Sequence, residues 1–367
     1  MKILITTGGG GHFAASLPVI RKLKNESLLL VLRKYAFEGE KTLSFESQIA
    51  KEENIPFATL ESARLSRTLS KYTFLSLAKL PKGFLKGFFL IKSFKPDVVL
   101  SFGGFTTIPI VISSAILRIP IVIHEQTFAA GLANRIASKF AKKICISWES
   151  SKKFFPKEKT VLTGIPIDTI IANDSKIFEN QKGFPILSFL GGSSGSHSIN
   201  VLIEPILEKL LKEFFIIHQT GETQTFNDFD RLTMYKKTLQ KPLQDRYQLI
   251  KFTNSSSVNS IISRSDFVVS RSGINTVARL LYFRTPSLLI PLPFGQKNEQ
   301  LKNAQFLKQQ GLAEILLQQD LVPEKLLEAI QAFSANIGQY KKHEIQINQI
   351  VPVDASERII SVVKETI

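Results

Sequence analysis

Lys2-Ile3-Leu4-Ile5-Thr6-Thr7-Gly8-Gly9-Gly10-Gly11-His12 decides the fold of the first half: a short β-rich run breaks into glycines, and a helix-length stretch follows. The second half opens the same way, with Phe189-Leu190-Gly191-Gly192-Ser193-Ser194-Gly195-Ser196. A third instance, Val99-Leu100-Ser101-Phe102-Gly103-Gly104-Phe105, follows Asp97. Glycine permits positive φ and close backbone approach, and it leaves the N–H groups of the next helix free to meet a phosphate. The helix dipole adds about 0.3–1 kcal/mol for an anion held there. A tight strand-to-helix turn needs glycine in any case. Three such turns at the carboxyl ends of parallel strands point further, to a nucleotide or a phosphorylated substrate.

Around these turns, candidate strands at Lys2–Thr6, Leu28–Leu32, Val98–Ser101, Ile119–Ile123 and Lys143–Ile146 alternate with helix-length segments. The pattern restarts with Pro185–Leu190, Phe214–Gln219, Tyr247–Lys251, Phe267–Ser270 and Ser287–Pro291. Alternating strands and helices imply right-handed crossovers and parallel sheets, so two sets imply two doubly wound α/β domains. A chain of 367 residues is long enough for two cores. The break is expected near Thr163-Gly164-Ile165-Pro166, dividing 1–163 from 164–353, with an amphipathic helix at 354–367 packing back on the first domain.

At 44% hydrophobic and 21% charged residues, wholesale disorder is excluded. A single cysteine, Cys145, excludes an internal disulfide framework and a zinc pattern and fits a reducing cytoplasm. No secretory signal precedes the first glycines. The longest apolar stretch, Thr106 to Ile123, is cut by Pro109, Arg118 and Pro120, and it reads as helix, turn and buried strand rather than a membrane span. A soluble protein is expected. The net charge of +16 is uneven: residues 1–163 carry 25 Lys/Arg against 11 Asp/Glu, the remainder 22 against 20. The first half therefore faces something anionic: nucleic acid, a phosphorylated ligand or an acidic membrane surface.

The first turn fits a dinucleotide fingerprint poorly, because Ala14 stands at its third glycine and Leu32-Arg33-Lys34 replaces the acidic ribose ligand. A nicotinamide enzyme is not expected, and no phosphate loop of the G-x-x-x-x-G-K-[ST] type is present. His12 closes the first glycine loop, where a neutral imidazole serves as a general base or simply bonds the helix start. His124-Glu125-Gln126 follows another apolar strand, a place for site groups rather than core. His197, His218 and His343 lack partners at metal-ligand spacing and read as surface or packing residues. Asp228-Phe229-Asp230 is formally a D-x-D, but it sits in a polar helical stretch and is not expected to hold a metal. Ser270-Arg271-Ser272-Gly273-Ile274-Asn275-Thr276 opens a helix with hydroxyls and N–H groups suited to a diphosphate. Gln296, Asn298, Glu299, Gln300 and Asn303 suit sugar hydroxyls or a solvated helix face equally well.

Between Glu61 and Asp97 there is no acidic residue but there are eight cations, among them Lys79, Lys82 and Lys86, interleaved with Phe84, Phe88 and Phe89. A pair of surface helices resting on anionic lipid has this composition, at about 1 kcal/mol per cation near the surface. No nucleic-acid motif accompanies it, so no nucleic acid is expected as partner.

Together these blocks resemble the MurG family of N-acetylglucosamine transferases: TGGGGH at 7–12, SFGGF at 101–105, HEQTFAAGLANR at 124–135, GGSSGSHSIN at 191–200, SRSGINTV at 270–277 with QKNEQLKNA at 296–304, and DASERI at 354–359. The resemblance implies a two-domain GT-B fold, two doubly wound Rossmann-like domains facing a cleft. It implies inverting transfer from UDP-N-acetylglucosamine to an undecaprenyl-diphosphate-linked acceptor, N-acetylmuramoyl-pentapeptide, at the cytoplasmic face of the cell membrane. It implies no cofactor and no tightly bound metal. His12 would be the base, with Glu125 beside it. Gly9, Gly10 and Gly11 would approach the diphosphates. Thr127, Asp168, Ser193, Thr253, Gly273, Ile274, Asn275, Thr276, Gln300 and Asn303 would serve the donor, and Gly103, Gly104, Phe105, His124 and Asn134 the acceptor. The sequence departs from the family at several of these positions. Thr127 replaces Asn, Phe105 replaces Tyr, Glu299 replaces Gln, Asp168 stands where Arg is usual, and Arg279 where an acidic residue holds the ribose. Gly164-Ile165-Pro166-Ile167 also occurs in diacylglycerol sugar transferases, which makes UDP-hexose-dependent glycolipid synthesis the second reading. A non-catalytic membrane-binding relative is the third.

Overall fold

The structure is a computed structural model that describes residues 1–33, 44–60, 71–179, 183–192, 195–221, 225–251, 253–293, 298–341 and 351–367. The chain divides into two compact units, Met1–Ile167 with Asn348–Ile367, and Asp168–Ile347. The crossing into the second unit falls after Ile167 rather than after Thr163. The Gly164 turn stays with the first unit because the Gly164 N–H donates to the Ile146 carbonyl and its own carbonyl meets the His124 ring.

The first unit holds a seven-stranded parallel sheet in the order β3-β2-β1-β4-β5-β6-β7. Its strands are β1 (Lys2–Thr6), β2 (Ser27–Leu32), β3 (Phe57–Thr59), β4 (Val98–Ser101), β5 (Ile121–Glu125), β6 (Lys143–Ile146) and β7 (Thr160–Leu162). Because side chains alternate along a strand, a parallel sheet covered on both faces needs apolar residues at every position. Ile3 and Ile5 of β1 accordingly join Leu30, Leu32, Val98 and Leu100 on one face. Leu4 joins Val31, Val99, Ile123 and Ile144 on the other. The C-terminal helix Ala355–Thr366 closes the first face with Ile359, Val362 and Val363. It is fastened by an ion pair from Lys22 to Glu357 and by Lys142 Nζ donating to the Thr366 carbonyl at 2.7 Å.

The second unit repeats the architecture with six parallel strands in the order β10-β9-β8-β11-β12-β13. These are β8 (Ile186–Leu190), β9 (Phe215–Gln219), β10 (Tyr247–Ile250), β11 (Phe267–Ser270), β12 (Ser287–Leu289) and β13 (Ala313–Ile315). In both units the first strand lies inside the sheet and the chain winds outward both ways from it. The carboxyl ends of β1 and β4, and of β8 and β11, therefore lie at the point where the winding reverses, the usual place for a ligand in an open sheet.

Three features differ from the sequence expectation. β3 and β13 were not anticipated; each is a three-residue edge strand with half-buried positions, too short and too polar to show a period. β5 ends at Glu125 rather than Ile123, so His124 and Glu125 are strand residues. The basic stretch forms one described helix, Lys71–Phe94, which runs through Pro81 instead of breaking into a pair.

Ile359 is fully buried at a helix the chain reaches only after crossing the second unit. Ile359→Ala should lower the unfolding free energy by about 2–5 kcal/mol in a denaturant titration. A loss below about 0.5 kcal/mol would show that the C-terminal helix is not part of the first core.

Candidate active site

In the first unit the turns after β1 and β4 pack back to back. The Gly8 N–H donates to the Gly103 carbonyl at 2.8 Å. A Cβ on Gly104 would lie 2.7 Å from Gly8 Cα, and one on Gly8 would lie 3.0 Å from both Gly104 Cα and His12 Cδ2. Gly103 and Gly104 also hold φ of 88° and 91°, where other residues are strained. Bare backbone is the only way to bring these strand ends together, and His12 lies against them at the start of the helix Gly11–Lys22.

The His12 imidazole is held below its ordinary pKa by burial, which the Glu125 carboxylate and the Phe102 backbone offset in part. Its Nδ1 is buried and has no hydrogen-bond partner. A neutral imidazole with one nitrogen uncommitted is a proton acceptor at neutral pH.

Glu125 organises the loop that follows β5. One carboxylate oxygen accepts from the Thr127 N–H at 2.9 Å and the Thr127 hydroxyl at 2.7 Å; the other accepts from the Gly131 N–H and from Asn134 Nδ2, both at 3.0 Å. A carboxylate with both oxygens engaged twice holds its surroundings in place, and its charge bears on His12. Asn134 also donates to the His124 carbonyl at 3.0 Å, and its side chain lies against Gly103, so it links the loop to the glycine crossing.

His124, expected on the acceptor side, is fully buried. Its Nε2 lies 3.2 Å from both the Gly164 carbonyl and Ser147 Oγ, its ring packs on Phe102, and burial brings its pKa down to about 4. With β5 running on to Glu125, the His124 ring is packed in the core as it stands here.

Two residues near the first turn escaped the sequence reading. The Gly10 N–H, expected to face a diphosphate, donates to the buried carboxylate of Glu46. Glu46 also accepts from Arg33 Nη2 at 3.1 Å, and the Arg33 guanidinium covers Gly9 so closely that a Cβ there would sit 2.6 Å from Cζ. The only signal was Arg33 itself, a cation at the end of β2 where a dinucleotide site carries an acid.

The second unit gathers its turns around Arg271. This guanidinium is nearly buried and donates to Ser196 Oγ at 3.0 Å, Ser198 Oγ at 2.6 Å, the Ile290 carbonyl at 2.9 Å and Gln318 Oε1 at 2.6 Å. Burial lowers its pKa to about 10, so it keeps its charge at neutral pH. It thereby ties the turn after β8 to those after β12 and β13 and places a cation beside Gly273, which opens the helix Ile274–Phe283. Gly195 approaches the backbone of Thr220 and Gly221, where no side chain fits.

Of the residues expected at the donor, Ile274 is buried, Gly273, Asn275, Thr276 and Thr253 are half-buried, and Ser193 lies outside the described residues. Asn303 is buried and donates to the Ser272 carbonyl at 2.9 Å, while Gln300 accepts from the Leu292 N–H at 3.0 Å. Both therefore brace the turns as they stand here. Asp228 of the D-x-D is engaged by His197 Nδ1 at 2.9 Å, Asn200 Nδ2 at 2.8 Å and Arg231 Nη2 at 2.7 Å. Among the described residues no group of His, Cys, Asp and Glu is arranged to hold a metal.

Comparison with known proteins follows the same division. Residues 3–146 match the Glycosyltransferase family 28 N-terminal domain and residues 186–358 its C-terminal domain. A Clostridium botulinum UDP-N-acetylglucosamine–N-acetylmuramyl-(pentapeptide) pyrophosphoryl-undecaprenol N-acetylglucosamine transferase is 33% identical, over 99% of this chain and 98% of its own. A Bacillus anthracis transferase of the same name is 31% identical, over 93% and 94%. The chain belongs to the MurG family of glycosyltransferases. The crystal structure of Acinetobacter baumannii MurG superposes with a TM-score of 0.70 at 22% identity, each chain covered completely, and gives the transferase its GT-B fold. A putative UDP-N-acetylglucosamine 2-epimerase from Listeria monocytogenes reaches the same score at 12% identity, so the fold alone does not fix the reaction.

In this transferase Gly104→Ala should both destabilise the chain, by about 1–3 kcal/mol in thermal or chemical unfolding, and reduce transfer. Wild-type stability in that variant would show that the two turns are not locked together.

Proposed function

We propose that the protein transfers N-acetylglucosamine from UDP-N-acetylglucosamine to N-acetylmuramoyl-pentapeptide linked to undecaprenyl diphosphate, in peptidoglycan synthesis. The observation that carries this reading is the near-full-length relationship to transferases named for that reaction, in a chain that keeps His12 at the glycine crossing. The first unit takes the acceptor and the second the UDP-sugar. Neutral His12 removes the proton from the acceptor sugar's hydroxyl as its oxygen attacks the donor's anomeric carbon. The bond to the β-phosphate oxygen breaks in the same displacement, inverting the anomeric centre and releasing UDP. Charge developing on the diphosphate is met by the N–H groups opening the helix Ile274–Phe283 and by the nearby Arg271 cation. Glu125 and Asn134 hold the acceptor-side loop, with Gly103, Gly104 and Phe105 beside it.

The acceptor's lipid brings the chain to an anionic surface at the cytoplasmic face of the membrane. Support comes from the outward face of the helix Lys71–Phe94, where Lys82, Leu85, Lys86 and Phe89 are all exposed at spacings of three and four. Leu85 and Phe89 are 59% and 62% exposed, so apolar groups project from the same stripe as the cations. Phe84 and Phe88 are half-buried beneath it; the side chain of Lys79 lies outside the described ones. Among the described residues no helix is long and apolar enough to cross a membrane.

Two measurements test these roles. His12→Ala should lower kcat by about 10²–10⁴. In the wild type, because the His12 pKa is depressed, the base form persists below pH 6.5, and kcat/KM should fall only as pH drops through that lowered value. Unchanged turnover in the variant would remove His12 from the role. Separately, Lys82→Glu with Lys86→Glu should weaken sedimentation with vesicles containing anionic phospholipid while leaving the melting temperature unchanged. Equal binding would exclude this helix as the membrane contact.

A further inference from the structure

The first glycine turn satisfies its donors with the chain's own oxygens. In the peptide joining Gly9 to Gly10, the Gly10 N–H donates to the buried Glu46 carboxylate, and the Gly9 carbonyl accepts from the His12 N–H at 3.1 Å. Both N–H groups stand at a helix start, where such donors are otherwise offered to an anion. Glu46 lies in the first turn of the helix Phe45–Glu52 and is held there by Arg33. Its carboxylate accepts from Arg33 Nη2 at 3.1 Å and Nε at 3.4 Å, a two-point contact that fixes the guanidinium across Gly9. The Arg33 backbone is fastened to the same helix start, its carbonyl accepting from Ser44 Oγ at 2.9 Å and Ser47 Oγ at 3.3 Å.

Gly10 shows what this arrangement demands of the backbone. It holds φ 34° and ψ −83°, outside the left-handed helical region as well as the right-handed one. A Cβ there would meet nothing within 4 Å, so conformation and not crowding calls for glycine. Backbone of this kind persists where its surroundings impose it, and the bond to Glu46 does so here. Turning this one peptide releases the Gly10 and His12 N–H groups together. The Gly8 N–H bond to the Gly103 carbonyl and the Ala14 N–H bond to the Gly10 carbonyl lie outside it, so the crossing and the helix keep their places. We infer that the Gly9–Gly10 peptide is a switch: Glu46 and Arg33 hold it turned inward in the free chain, and the acceptor's diphosphate turns it outward to bind. Glu46 is thus an internal anion that the acceptor displaces from the turn, and its pair with Arg33 keeps the buried carboxylate compensated in both states. The inference rests on the first unit being the acceptor site.

Two readouts separate the hold from its consequence. In the full-length, ligand-free protein, NMR follows exchange of the Gly10 amide proton in the wild type and in Glu46→Gln, which keeps the shape and removes the charge. Exchange should speed up about five-fold, the difference between a hydrogen bond to a charged group and one to a neutral group. In transfer assays the KM for undecaprenyl-diphosphate N-acetylmuramoyl-pentapeptide should fall by a similar factor, with the KM for UDP-N-acetylglucosamine unmoved. If Glu46→Gln fails to fold, Glu46→Asp keeps the charge opposite Arg33, draws the carboxylate back from Gly10, and should move both readouts the same way. Equal exchange in wild type and variant would show that Glu46 does not hold the peptide. Faster exchange with an unchanged or raised acceptor KM would show that the turn binds as it stands. Either result overturns the switch. A wild type that transfers nothing to this lipid would instead sink the acceptor reading, and the exchange comparison would still decide whether the peptide is held.

Discussion

Everything the first unit does depends on backbone meeting backbone where the turns after β1 and β4 cross. Gly8 and Gly104 come so close that no side chain fits at either position, and the Gly8 N–H to Gly103 carbonyl bond fixes their register. That contact puts His12 over two strand ends at once and buries it enough to keep the ring neutral. Glu125 then holds the neighbouring loop through four donors, and Asn134 ties that loop back to Gly103. The imidazole is thus placed by packed, hydrogen-bonded structure rather than by a mobile loop, which general-base catalysis requires.

Buried ions perform the corresponding work in the second unit. Arg271 makes its hydrogen bonds to neutral oxygens of the turns after β8, β12 and β13, so its charge is left to attract an anion rather than cancelled by a carboxylate bond. Asp228 is the opposite case: its carboxylate is surrounded by His197, Asn200 and Arg231 and anchors the helix that follows the glycine turn. Asn200 continues this network inward to His218 and Tyr247, where burial brings the His218 pKa down to about 3 and keeps that ring neutral. Asp228 of the D-x-D is therefore tied into the second unit by three donors.

Most of the architecture was legible because buried parallel strands declare themselves as continuous apolar runs, and β1, β4, β6 and β11 fall where the sequence placed them. The edge strands β3 and β13 were not legible, since half-exposed residues in threes carry no period. The glycine turns and His12 were readable because few side chains are tolerated there. The partners of those groups were not: Glu46 reaches Gly10 across 36 residues and Arg271 reaches Gln318 across 47, and nothing local in the sequence announces such contacts. His124 is a separate case: its position at a strand end suggested a site, and its ring is buried against Phe102.

The identity of the transferred sugar and of the lipid that receives it separates peptidoglycan synthesis from glycolipid synthesis. The direct measurement offers the purified protein both acceptors in one anionic vesicle preparation, undecaprenyl-diphosphate N-acetylmuramoyl-pentapeptide and diacylglycerol, with labelled UDP-N-acetylglucosamine or labelled UDP-glucose. Label from the N-acetylated donor should appear on the muramoyl lipid as a disaccharide, with none on diacylglycerol. Glucose on diacylglycerol would contradict the account and assign the chain to glycolipid synthesis.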